Sequence, residues 1–209
     1  PKGVMVGHNN LINASYGWIS EYRLNSMQVN LLQMASFSFD VFAGDLARGL
    51  LTGGKIVICP ADARIDPQAL YGLIDKYKIS LFESTPSLII PLMQYVYDNN
   101  LSIDSLELLI LGSDACPVED FRRLLERFGS KMRIINSYGL TETTIDSSFY
   151  ESSLEQLPAT GTVPIGKPLP NTEYYILDAN CNPQPIGIPG ELYIAGKGVA
   201  SGYLNNPTL

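Results

Sequence analysis

Short apolar runs alternate with stretches of helical period over the first 150 residues of this chain. The runs at 4–6, 29–34, 55–59, 79–84, 106–111 and 132–137 predict strands, and 10–21, 41–51, 67–77, 87–98 and 118–128 predict helices between them. Pro67 after Asp66 suits a first helical position, while Gly53-Gly54 and Gly129 suit helix ends. In 118–128, Phe121, Leu124, Leu125 and Phe128 share one face, with Arg122, Arg123, Glu126 and Arg127 mostly opposite. Strand–helix alternation with strongly apolar strands predicts an α/β domain, its mostly parallel sheet covered on both faces. Past Tyr150 the helical period vanishes and Pro and Gly become dense. Candidate strands at 173–178 and 191–195 are separated by Pro183, Pro185, Gly187, Pro189 and Gly190. The expected organisation is therefore an α/β core over 1–150 and a small β-rich segment over 151–209, without repeats or low-complexity tracts.

Composition narrows the function. At 209 residues and 45% apolar the chain can bury a real core. A formal charge of −7 argues against a nucleic-acid or anionic-membrane partner, since both call for basic patches. No apolar run approaches the roughly 18 residues of a membrane span, and the opening Pro-Lys-Gly-Val-Met-Val does not read as a secretory signal. Cys59, Cys116 and Cys181 stand far apart and read as ordinary thiols, which suggests the cytoplasm. With one histidine, His8, the chemistry has to come from carboxylates, backbone and a bound small molecule.

In an open α/β sheet the ligand sits beyond the carboxyl ends of the strands. The segments that follow the predicted strands are Ser36-Phe37-Ser38-Phe39-Asp40, Glu83-Ser84-Thr85-Pro86, Gly112-Ser113-Asp114-Ala115 and 137–146, and all should crowd one edge. Within the last, Asn136-Ser137-Tyr138-Gly139-Leu140-Thr141-Glu142-Thr143-Thr144 combines a ring for a base, a Gly for close approach and Thr/Glu oxygens for a hard cation on phosphates. A plain strand-to-helix turn capped by Ser or Thr would use the same residues.

Together with the chain ends, these segments resemble the adenylation domains of non-ribosomal peptide synthetases, in the superfamily of acyl- and aryl-CoA ligases and luciferase. Pro1-Lys2-Gly3 looks like the tail of that family's phosphate loop, Phe39-Asp40 like its amino-acid anchor, and 112–115 like its adenine loop. Tyr138-Gly139-Leu140-Thr141-Glu142 resembles the Y-G-x-T-E core. Gly190-Glu191-Leu192 through Gly198-Val199-Ala200-Ser201-Gly202-Tyr203-Leu204 resembles the G-E-L…G-x-A-R-G-Y-L segment. Leu140 replaces the usual Pro, and Ser201 stands where Arg is usual. The resemblance implies a doubly wound, flavodoxin-like sheet and activation of an amino acid with MgATP to an aminoacyl adenylate, as in antibiotic biosynthesis. Loading onto the phosphopantetheine of a peptidyl carrier protein would follow, beside a condensation domain. It also implies Tyr138 and Gly139 at the adenine, with Gly112, Ser113, Asp114, Ala115 and Asn136 lining the base pocket. Lys2 and Thr141 would meet phosphate, and Glu142 would hold Mg²⁺.

Carried over in the same way, the specificity pocket becomes Asp40, Val41, Gly44, Glu83, Leu109, Leu111, Ser137, Ile145 and Asp146, with Asp40 on the substrate's α-ammonium. Glu83 and Asp146 would raise each other's pKa in one small pocket unless a cation sits between them. An unpaired buried carboxylate costs on the order of several kcal/mol. The expectation is therefore a basic substrate, with ornithine before lysine before arginine. Leu111 is larger than the Gly or Ala expected beneath such a pocket. By the same resemblance the chain is a core piece. The neighbouring N-terminal subdomain, the ribose-binding Asp and the C-terminal catalytic Lys would lie outside it. The 209 residues alone are then expected to fold without adenylating at a useful rate, with an apolar face open to self-association. Two other readings are an acyl- or aryl-CoA ligase core, which has no use for Asp40, and a non-catalytic ligand-binding module.

Overall fold

A computed structural model describes residues 2–206 and 208. In chain order the elements are α1 (His8–Glu21), β1 (Asn30–Gln33), α2 (Val41–Leu50), β2 (Lys55–Ile58), α3 (Pro67–Tyr77), β3 (Leu81–Ser84), α4 (Pro86–Asp98), β4 (Leu108–Leu111), α5 (Val118–Phe128) and β5 (Arg133–Tyr138). Then come β6 (Ser148–Tyr150), β7 (Lys167–Pro168), β8 (Thr172–Leu177) and β9 (Glu191–Gly196). Seven strands form one sheet in the order β2-β1-β3-β4-β5-β6-β7, parallel from β2 through β5 and antiparallel beyond; β8 and β9 pair antiparallel on their own. No described helix is long and apolar enough to cross a membrane.

Strand residues alternate between two cores. Leu32, Phe82, Leu109, Leu111 and Ile134 pack against α3, α4 and α5. Leu31, Leu81, Leu108, Ile110 and Ile135 pack against Trp18 of α1 and Ala47 of α2. A strand turns successive side chains to opposite faces, so uninterrupted apolar runs are what a doubly covered sheet requires. Helix ends follow local chemistry: the Asp66 carboxylate accepts from the Gln68 amide at 2.9 Å, Pro67 takes the first turn, and Lys78 closes α3 at φ 50°.

The sequence pattern and the structure part at three places. The run at 4–6 joins no sheet; Val4 bridges Tyr203 instead, and Leu204 N–H donates to the Gly3 carbonyl at 2.7 Å. Met5 N–H donates to Gly202 and Ser201 N–H to Met5, so the two chain ends pair with each other. Strands β6 and β7 leave no pattern to detect, being three and two residues long. They nonetheless carry the first sheet well past residue 150, and the second sheet begins only at Thr172. Gly166 permits the β6–β7 contact: its φ is +80°, and a Cβ there would lie 1.9 Å from the Phe149 carbonyl oxygen.

Phe121 is fully buried beneath the sheet. Phe121→Ala is expected to cost about 3–5 kcal/mol of stability, read as a lowered denaturant midpoint with an unchanged slope.

Candidate functional site

Strand order 2-1-3-4-5 reverses direction between β1 and β3, the place where an open sheet leaves a crevice beyond its carboxyl ends. A cavity of about 330 Å³ lies there, lined among others by Ala35, Phe39, Val41, Glu83, Thr85 and Ser113. Asp40, between the lining residues Phe39 and Val41, is the N-cap of α2. Its carbonyl accepts from the amides of Ala43 at 2.9 Å and Gly44 at 3.2 Å, but its carboxylate caps nothing. The side chain is half-buried.

Behind Asp40 an ion cluster is buried. Arg48, on the inner face of α2, pairs through Nη2 with Asp45 at 3.1 Å and with Glu83, and through Nη1 with Asp146 at 3.2 Å. The Trp18 indole N–H donates to the same Asp146 oxygen at 2.9 Å, and the Trp18 ring lies 4.7 Å from the guanidinium carbon. Three carboxylates thus share one guanidinium. Burial holds Glu83 well above the usual carboxylate range; Arg48 pulls it back, while Asp146, Asp45 and Asp40 push it further up. Burial likewise raises Asp146, against Arg48 and the indole, and lifts Asp45 to about 6 against Arg48. The cation that Glu83 and Asp146 require is therefore supplied in part by the protein. Nothing in the charge pattern of α2 marked Arg48 except that it lies one turn beyond Gly44.

The structure corrects two pocket positions. Leu109 and Leu111 are fully buried against α3–α5, on the sheet face away from Arg48. The parity of β4 turns Ile110 and then Gly112 toward the cluster instead. A Cβ on Gly112 would lie 2.6 Å from Ser137 Oγ and 3.3 Å from Glu83 Oε1. The small floor residue missing at Leu111 is thus Gly112. Val41 packs at the edge of the α1–α2 core, and Ile145 Cδ1 sits 3.2 Å from where a Gly44 Cβ would point. Ser137 is buried on β5.

Next to this cluster, a second cavity of about 390 Å³ is lined by Ser113, Asp114, Ala115, Asn136, Tyr138, Gly139 and neighbours, and Ser113 lines both. Asn136 donates from its amide nitrogen to the Pro164 carbonyl at 3.2 Å, while its buried Oδ1 has no partner. A buried acceptor left unmade is costly, and an exocyclic amine of a base would satisfy it. The Asp114 carboxylate accepts from the Ala115 amide at 2.7 Å, which fixes the loop beside it. Gly139 passes so close to the following turn that a Cβ would fall 1.8 Å from the Ile145 carbonyl oxygen. Thr144 and Ile145 both adopt positive φ, 65° and 72°, an uncommon backbone for β-branched residues. That bend carries Asp146 round to Arg48.

Thr141 is exposed at the start of a short 3₁₀ turn, and Glu142 follows it half-buried. The Tyr203 hydroxyl donates to Glu142, which holds that carboxyl below its ordinary value, and Lys2 adds a smaller pull. Lys2 Nζ lies 5.2 Å from the Tyr203 ring centroid. The Ala200 amide donates to the Glu142 carbonyl at 2.9 Å, and Thr144 Oγ1 donates to the Gly198 carbonyl at 2.6 Å. The described residues thus gather Lys2, Glu142 and Tyr203 at one corner, though Pro1 lies outside them. Tyr203 was not singled out from sequence. No group of three or more His, Cys, Asp and Glu that could hold a metal is found among the described residues.

Residues 1–204 match the family of AMP-binding enzymes. Bacitracin synthase 2 of Bacillus licheniformis and tyrocidine synthase 3 of Brevibacillus parabrevis are each 57% identical over the whole chain, which spans 8% and 3% of their lengths. Among solved structures, the non-ribosomal peptide synthetase FmoA3 in its AMPPNP-bound form superposes at TM-score 0.88 with 27% identity, over 100% of this chain and 22% of that one. The N-terminal subdomain of Klebsiella oxytoca NpsA, in complex with 3-hydroxybenzoyl-AMSN, superposes at 0.80 with 29% identity, over 97% and 50%.

The raised Asp45 carboxyl carries a pH signature. The folded state binds this proton more tightly than the unfolded chain, so its stabilising contribution is complete below pH 3.8 and is lost as pH rises through about 6. The loss is at most about 3 kcal/mol. Asp45→Asn is expected to flatten that part of the urea-midpoint profile between pH 4 and 6.

Proposed function

This chain belongs to the AMP-binding enzyme family, and from that membership we propose that it is the core of a domain activating an amino acid with ATP. In this reading the substrate carboxylate attacks the α-phosphorus and pyrophosphate leaves with the electron pair of the broken P–O bond. A carrier-protein phosphopantetheine thiol then takes the acyl group. The observation that carries the proposal is adjacency: an Asp40 carboxylate that makes no cap bond stands between lining residues of one cavity, and the orphaned Asn136 oxygen belongs to the cavity that shares Ser113.

The residues present fit the absent nucleotide. Asn136 Oδ1 would accept from the adenine amine, Tyr138 would stack beside it, and Thr141 and Lys2 would meet phosphate. The ionised Glu142 would hold Mg²⁺, which neutralises phosphate charge when bound. Asp40 would hold the α-ammonium and so orient the attacking carboxylate.

A basic side chain is the substrate class we assign, ornithine before lysine before arginine. Its support is charge: with Arg48 counted, the cluster of Asp45, Glu83 and Asp146 still holds more carboxylates than cations. A neutral side chain would leave that excess unmet at the cost of burial. Carrier and condensation domains are the partners this reading names.

ATP–pyrophosphate exchange by a full-length adenylation domain containing this chain tests the proposal. Exchange with ornithine and lysine is expected, and Asp40→Ala is expected to lower kcat/KM by at least about 10²-fold, as for a lost charge pair. Preference for leucine or phenylalanine would overturn the substrate class. Exchange indifferent to Asp40→Ala would favour a CoA-ligase core. The same assay on the 209 residues alone is expected to show no useful rate.

A further inference from the structure

The depth that Gly44 opens in the pocket is not empty. A side chain begun at Gly44 would meet Arg48 Nη2 at 3.3 Å, Trp18 Cη2 at 3.4 Å and Ile145 Cδ1 at 3.2 Å. A guanidinium that belongs to the protein fills the space that the missing side chain leaves. It is fully buried, held by carboxylates from α2, β3 and the bend after β5, and backed by the indole. Few buried side chains are fixed from so many directions.

The Glu83 carboxylate divides its two oxygens. Oε2 goes to Arg48, whereas Oε1 faces Gly112, 3.3 Å from the point where a Cβ there would stand. Glu83 lines the cavity of about 330 Å³ and Arg48 does not, so a ligand entering there meets the Glu83 carboxylate before the guanidinium. A side chain long enough to pass Glu83 would bring its own positive charge against Arg48, which like-charge repulsion in a buried site opposes.

We propose that Arg48 is a specificity-determining residue, a built-in cation that closes the pocket floor and limits how far a substrate's ammonium can extend. The proposal deepens the functional reading above and rests on it. Short ω-amino side chains reach Glu83 and stop there. Longer ones are refused by the guanidinium and not by apolar bulk. One added or removed methylene in a fitted pocket changes selectivity by about tenfold or more, so the floor should be visible in a graded series.

The experiment is pyrophosphate exchange by the full-length adenylation domain with 2,4-diaminobutyrate, ornithine, lysine and arginine, for wild type, Arg48→Lys and Arg48→Ala. Arg48→Lys keeps a cation among the three acids while shortening the floor, and so guards against a variant that merely fails to fold. Wild type is expected to favour the shorter members. Arg48→Lys is expected to lower the ornithine-to-arginine ratio of kcat/KM by about tenfold, mostly through KM. Free guanidinium added to Arg48→Ala is expected to restore the ornithine preference. A uniform loss across the series in Arg48→Lys, with the ranking unchanged, would overturn the proposal and reduce Arg48 to a structural role. Wild-type exchange confined to neutral amino acids would instead remove the substrate reading itself, a separate failure visible before any variant is made.

Discussion

A guanidinium held out of water by three carboxylates is the constraint around which this domain is arranged. Each partner comes from a different stretch of chain: Asp45 from the same helix as Arg48, Glu83 from β3, and Asp146 from the bend after β5. Such a group is costly to desolvate, and its presence in the core weakens the case that it exists for stability alone. What it does impose is position. Glu83 and Asp146 cannot drift without leaving Arg48 unpaired, and Trp18 fixes the other side of the same oxygen. The α1–α2 layer, β3 and the 3₁₀ turn are thereby tied to one point.

That tie explains how two cavities come to share an edge. The bend through Thr144 and Ile145 is strained, and it is held from both sides. Inward, Asp146 meets Arg48; outward, Thr144 Oγ1 donates to Gly198 and Glu142 receives Tyr203. A displacement at the cation cluster would pass into the Thr141–Glu142 turn through fewer than six residues. The two cavities thus share one hydrogen-bonded bend, and in the proposed reading that coupling serves a reaction dominated by positioning.

How much of this was legible in the sequence depended on the kind of signal. Helix and sheet layers followed from long periodic runs, such as Phe121 through Phe128, whose face the structure buries. The site loops could be placed because strand ends in an open sheet share an edge. The parity of β4 was not legible: in a buried strand with no polar positions, nothing in Leu108-Leu109-Ile110-Leu111 says which residues face which layer. The partner strand's Glu83 settles it, because its polar side chain needs Arg48. Arg48 itself was invisible for a related reason. An Arg three residues after an Asp on one helix reads as an ordinary exposed pair, and only packing shows that both are buried. Strands β6 and β7 were too short to register, and the apolar run at 4–6 pairs with residues near 203 and leaves Met5 and Val6 exposed instead of joining a sheet.

The pairing of residues 3–5 with 201–204 also has a temporal meaning. Contacts between Met5 and Gly202 are far apart in sequence, and such non-local pairings form late because loop closure must precede them. During synthesis the Arg48 cluster can assemble once Asp146 has left the ribosome. Lys2 and Tyr203 cannot meet until about sixty further residues have emerged. The buried cation cluster can therefore form before the corner that joins Lys2, Glu142 and Tyr203, so the two are built in a defined order.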